Sequence, residues 1–212
     1  MSQNMDDIAG VGQIDTELRG VAQEMAEEAR TYLVALRSVA HGEASDTALP
    51  LILLALSQIQ VAGARLGAMV DIVPRERFEP DAGPDLDLDG IRDGLTGLLA
   101  GVDTYAEVAD PIVSTEVGRG DISNDLTAIA ADLTHGLRHF DGGALTEALW
   151  WWQFSYLSSW GERAAAALRA VLALLAHVRL DIDEEIAMEA EMAALHTESS
   201  EHAAGAGPHG GG

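Results

Sequence analysis

Two groups of side chains have the types and spacing that metal chemistry needs. Asp132, His135 and His139 fall within about 60° of one another on a helical wheel at ~100° per residue. Two histidines at i, i+4 with a neighbouring carboxylate is a metal-ligand spacing. No fourth ligand is evident, however. The three also lie opposite the apolar stripe Leu126, Ile129, Leu133, Leu137 and Phe140, where solvated polar residues belong. We therefore keep them as weak metal candidates and assign no metal and no cofactor. The run Asp85-Leu-Asp-Leu-Asp-Gly90 opens like a calcium loop, with Asp93 at its ninth position. Its twelfth position is Thr96, where a bidentate Glu is required. These carboxylates read instead as acids favoured at a helix N-terminus.

A third group suits binding better than bond-making. All four Trp lie in Trp150-Trp-Trp-Gln-Phe-Ser-Tyr-Leu-Ser-Ser-Trp160, with Phe154 and Tyr156. Helical spacing puts Trp150, Phe154 and Leu157 on one face and Trp152, Tyr156 and Trp160 on another. Gln153 lies between them. The plain reading is a central helix packed on two sides, because aromatics dominate core energetics. The sharper reading is a ligand or partner pocket formed by Trp152, Gln153, Tyr156 and Trp160 with Asp71 and Arg75 from a preceding loop. Glu24, Glu27 and Glu28 cluster on another helix, like the magnesium-holding acids of all-α nucleotide pyrophosphohydrolases. The second acidic pair of that arrangement has no clear counterpart; the nearest acids are Asp183, Glu184, Glu185 and Glu189.

These groups must be positioned by helices. Apolar residues recur at three- and four-residue steps from Asp15 to about Val39, and Gly42 is a plausible stop. A second helix begins near Asp46 or Thr47, carries Pro50 in its first turn and runs to about Val70. It is apolar almost all round and is therefore expected to be central. Residues 71–87 form a loop with three prolines. A third helix spans about 88–101, and Tyr105 to Gly120 is expected to be irregular. The fourth helix starts near Ser123 and stops at Asp141-Gly142-Gly143. A fifth begins near Ala144 and either runs continuously to Arg179 or breaks near Gly161. Gly136, Phe140, Gly143, Ala148, Trp152 and Ser155 approximate the small and aromatic positions of a tetratricopeptide-like αα-hairpin, which implies antiparallel packing of the fourth and fifth helices. No segment alternates with period two. The expectation is an all-α bundle of about five or six helices with a central Trp-rich helix. Residues 1–14 read as a flexible N-terminus, 15–180 as one helical domain, and 181–212 as an acidic, then Gly- and His-rich, largely disordered tail.

Composition sets limits on partners. The chain has 212 residues, 35 Asp and Glu, and 12 basic residues, all Arg, for a net charge of -23. Such a body repels phosphate backbones and anionic lipid, so no direct nucleic-acid or membrane partner is expected. The apolar run Leu49 to Val70 is interrupted by Ser57, Gln58, Gln60 and Arg65, and reads as a bundle helix. The absence of Cys removes disulfides, thiolate nucleophiles and Cys-ligated zinc, which fits a reducing cytoplasm. No phosphate loop, nucleophile elbow or dinucleotide fingerprint occurs.

The segment Glu147-Ala-Leu-Trp-Trp-Trp-Gln-Phe-Ser-Tyr-Leu-Ser-Ser-Trp-Gly161 resembles the actinobacterial family labelled domain of unknown function 5063. The resemblance continues through Asp71-Ile-Val-Pro74, Asp132-Leu-Thr-His-Gly136 and Leu175-Ala-His-Val-Arg-Leu180, covering about residues 20–182. It implies no assigned activity and no catalytic residues. The leading expectation is a protein-interaction or adaptor module in the cytoplasm, with a protein partner and a possible homo-oligomer. The alternatives are a small-molecule binder or enzyme using the cleft between 71–87 and the Trp-rich helix, and a pyrophosphohydrolase-like enzyme using Glu24, Glu27 and Glu28.

Overall fold

The computed structural model describes the backbone of residues 2–74, 87–108, 112–113 and 115–181, and side chains from residue 16 to 180 within those ranges. Arg75, most of the proline-rich loop and the tail beyond 181 lie outside the described residues. The chain divides into two compact units, Met1–Leu172 and Ala173–Gly212.

Six α-helices are described: α1 (Ser2–Ala40), α2 (Ala48–Gly67), α3 (Asp89–Leu98), α4 (Ile122–Asp141), α5 (Leu145–Ser155) and α6 (Gly161–Ala176). The bundle is therefore all-α in its main body, as the periodicity implied. No proline interrupts residues 2–40, and α1 extends N-terminally well before Asp15. Between α5 and α6 the backbone stays helical through a π-helical turn, Tyr156–Trp160, and a second such turn follows at His177–Asp181. The fifth helix thus does not break at Gly161. A Cβ there would overlap the Tyr156 carbonyl oxygen, so glycine permits the wider turn to rejoin α6.

Residues expected to be irregular form a hairpin. Strands β1 (Thr104–Val108) and β2 (Val117–Asp121) pair antiparallel, with Tyr105 opposite Gly120. Two glycines in five residues hide β2 from any propensity argument. The Tyr105 ring covers Gly120 and supplies the side-chain surface that glycine lacks. The hairpin feeds straight into α4. Asp103 accepts from the Ser123 backbone N–H at 2.8 Å and from its hydroxyl at 2.6 Å, satisfying a donor of the first turn of α4.

The centre of the bundle is α4, not α2. Ile122, Leu126, Ile129, Ala130 and Leu133 are fully buried, and Ser123, Asp125, Thr127 and His139 are buried with them. Helix α2 buries Ile52, Ala55, Leu56, Ile59 and Leu66 but leaves Leu54 58% and Val61 56% exposed. Its largely apolar composition therefore overstates its burial. By length and composition alone, Ser45–Gly67 is apolar enough to cross a membrane, despite the polar residues expected to disqualify it.

Candidate functional site

The α4–α5 turn sets up the site. Gly143 takes a φ of +81°, a left-handed conformation that glycine adopts without steric cost, and the chain reverses there. Trp151 and Trp152 then donate their indole N–H groups to the carbonyls of Asp132 (2.9 Å) and Leu133 (3.2 Å). Gly136 makes this possible, since a Cβ at that position would overlap the Trp152 indole. The small and aromatic positions of the predicted αα-hairpin meet as antiparallel packing requires.

The inner side of the Trp-rich helix is closed. Trp152 and Trp160 are fully buried. Tyr156 and Trp160 occupy the notch over Gly63, and Tyr156 also covers Gly67. Their rings meet edge to face at 4.7 Å. Trp160 donates its indole N–H to the Ser155 hydroxyl at 3.1 Å. Desolvation pushes the Tyr156 phenol above its ordinary range.

Gln153 adds a side-chain cap to the backbone bonds that already close the C-terminal end of α2. Its Nε2 donates to the Leu66 carbonyl at 2.9 Å, with longer contacts to the Met69 and Val70 carbonyls at 3.5 and 3.4 Å. Its Oε1 accepts from the Ile72 backbone N–H at 2.8 Å. Both ends of the amide are spent on main chain, and a buried amide needs such partners. Gln153, expected among the residues of a ligand or partner pocket, is instead a latch on the chain leaving α2. Asp71, grouped with it in that expectation, is exposed beside the latch, while Arg75 lies outside the described residues.

The outer side of the same helix is open. Phe154 is 51% exposed and Leu157 63%. Trp150 stacks on Phe154 with ring centroids 5.7 Å apart and 15° between planes. Trp151 meets both Trp150 and Phe154, at 6.1 and 6.4 Å, and rests against His135 at 4.0 Å. Trp150 and Trp151 are half-buried. Four large side chains on a helix held in place from behind make a preformed apolar surface.

A polar seam ties α4 to β1, α1 and α6. The buried Asp125 carboxylate accepts from the Tyr105 hydroxyl at 2.6 Å and from Arg163 at 3.1 Å. Burial, then the bond to Asp125, raises the Tyr105 phenol far above its usual range. Tyr32, wholly buried, donates to the Leu126 carbonyl at 3.0 Å and is likewise pushed up by desolvation and by Asp125. Two turns along α4, Asp132 accepts from the Ser159 hydroxyl at 3.0 Å. Burial raises its carboxyl above the ordinary range, against lowering by Ser159, Arg163 and His135.

The metal candidates change meaning in this setting. The side of α4 carrying Asp132, His135 and His139 faces α5 rather than solvent. Asp132 is bonded to Ser159, His135 packs on Trp151, and His139 is buried at 5.1 Å from the His135 ring. Among the described residues, no three His, Asp or Glu side chains stand as a group that could hold a metal. The same applies to Glu24, Glu27 and Glu28. Opposite them stands α2, which presents Ser57, Gln58 and Arg65 rather than a second acidic pair. The hydrolase arrangement is therefore missing among the described residues.

These features define a helical bundle with an exposed aromatic face. The chain belongs to the family described as Domain of unknown function (DUF5063), whose model matches residues 16–177. Among solved structures, protein BF1032 from Bacteroides fragilis is similar, with a TM-score of 0.58 and 18% identity. The match covers 71% of this chain and 89% of that one, and at this identity it shows the fold alone. No curated protein matches the chain.

Sequence reasoning missed the Gly63-x-x-x-Gly67 notch, although two glycines one turn apart in an apolar helix signal a close approach. It also missed Asp125, whose partners come from the hairpin and from α6, far away in sequence.

Proposed function

We propose that the domain is a protein-interaction module of the cytoplasm, and that Trp150, Trp151, Phe154 and Leu157 form its docking face. The observation carrying this reading is the contrast on one helix: large apolar side chains remain half-buried or exposed while the residues between them are locked to α2 and α4. Rigid aromatic anchors lose little side-chain entropy on binding and are enriched at interface hot spots. The partner is a protein presenting apolar side chains flanked by Lys or Arg, which complement a chain of net charge -23. The same charge works against a nucleic-acid or anionic-membrane partner, and against self-association through this face. Spending of the Gln153 amide on backbone groups weighs against a small-molecule cleft beside the 71–87 loop.

The test compares partners captured at low salt by the wild type and by a Phe154→Ser/Leu157→Ser variant, with melting temperature measured on both. The expected result is one partner retained by the wild type, released by salt, and lost in the variant without loss of stability. Equal capture by both proteins removes the aromatic face from the account. Self-association of the wild type that the variant abolishes replaces the heterologous partner with a second copy.

A further inference from the structure

A second surface, on the opposite side of α2 from the Trp-rich helix, has different chemistry. Helices α1 and α2 run antiparallel and leave between them an open groove of about 400 Å³. Its apolar lining is Val21, Met25, Val61, Ala62 and Leu66. Met25 and Leu66 are buried, while Val61 remains mostly exposed, and Leu54 extends the outward apolar strip two turns along α2. One wall is strongly acidic: Glu24, Glu27 and Glu28 stand at i, i+3 and i+4 on α1.

The groove holds a single cation, Arg65, against those three carboxylates among its lining residues. Arg65 reaches Glu24 at 3.3 Å, and both side chains are 68% exposed. An ion pair this open contributes little and exchanges readily with a competing cation. Glu27 and Glu28 therefore face the groove with an unbalanced negative charge beside an apolar floor. Both features suit one kind of occupant. An acidic rim alone attracts any cation, and an apolar floor alone attracts any apolar surface. Together they select a segment with aliphatic side chains on one face and Lys or Arg along its edge.

We infer that the α1–α2 groove binds a basic amphipathic helix of a partner protein, seating aliphatic side chains on Val21, Val61 and Ala62 and Lys or Arg against Glu24, Glu27 and Glu28. This goes beyond the aromatic face, uses none of its residues, and would give the module two docking surfaces of different chemistry. Helix-in-groove recognition is read by anchors at i, i+3, i+4 and i+7, a spacing that two antiparallel helices can receive.

The experiment measures fluorescence anisotropy of a labelled 18-residue helical peptide with Leu on one face and Lys on its flanks, using the full chain. The wild type should bind it, and the matching Leu/Glu peptide should not bind. Glu24→Gln/Glu27→Gln/Glu28→Gln should weaken binding at least ~10-fold, since three charge-assisted contacts are removed at once. Val61→Ser, with all charges intact, should weaken it several-fold. Neutralising Glu43, Asp46 and Glu162 elsewhere, also three carboxylates, should leave affinity unchanged. Equal weakening by that control set would show general charge attraction and overturn the inference. Displacement by spermidine as efficient as by unlabelled peptide would overturn the amphipathic part. The Phe154→Ser/Leu157→Ser variant should keep full affinity. Loss there, with retention in the groove variants, would reject the groove and leave the aromatic face standing.

Discussion

The two sides of the Trp-rich helix are built from the same residue types and do opposite things. On the inner side, Trp152 and Trp160 are buried, their indoles bonded to the Leu133 carbonyl and the Ser155 hydroxyl, and Gln153 and Tyr156 close on α2. On the outer side, Trp150 stacks on Phe154, Trp151 meets both at an angle, and Leu157 is mostly exposed. The difference comes from the neighbours. Gly136 on α4 and Gly63 and Gly67 on α2 let the inner rings in, whereas among the described residues the outer ones meet no such notch and only Trp151 rests one edge on α4, against His135. Aromatic content by itself therefore does not separate core from surface; the glycines opposite it do.

The comparison can be broken at several strengths. Trp152→Ala should cost about 3–5 kcal/mol in denaturant unfolding, because it empties a site on α4 and strips Gly136 of its cover. Next is Gln153→Leu, which takes the acceptor from the Ile72 N–H and removes the side-chain donor from the Leu66 carbonyl, leaving the latter its backbone partner Met69. We expect about 1–3 kcal/mol from the same measurement, with faster hydrogen exchange at Ile72. At the border of the two faces, Asp132 offers a pH test. Burial raises its carboxyl, so the folded chain holds that proton more tightly than the unfolded chain does. The resulting stabilisation is complete below the ordinary carboxylate range and is lost as pH rises through the raised value. Asp132→Asn, which can still accept from Ser159, should therefore melt higher than wild type at pH 7. The gap should close as pH falls toward ~4. The smallest effect belongs to the outer face. Phe154→Ser/Leu157→Ser should change stability by no more than about 0.5 kcal/mol, as surface substitutions do.

Much of this is legible in the sequence. The apolar stripe of α4, the division of the Trp segment into two faces and the antiparallel α4–α5 hairpin all follow from a period of 3.6 residues. Periodicity was less informative where an element is apolar or polar for reasons beyond its own length. Helix α2 is apolar almost all round yet faces solvent at Leu54 and Val61, so composition puts it at the centre and packing does not. Asp132, His135 and His139 looked like a solvated face because polar side chains can be buried once Ser159 and Trp151 come to meet them. The β1–β2 hairpin depends on Tyr105 covering Gly120, a cross-strand relation that neither strand shows alone. The Asp125 site needed Tyr105 and Arg163 from two distant elements.

The central claim is that one helix carries a locked face and an open face. It is tested most directly by fluorine NMR of the chain labelled with 5-fluorotryptophan, each resonance assigned by single Trp→Phe substitution, with a soluble paramagnetic relaxation agent added. Trp150 and Trp151 should broaden strongly while Trp152 and Trp160 remain sharp. Broadening of Trp152 or Trp160 to the level of Trp150, or protection of all four, would contradict the account.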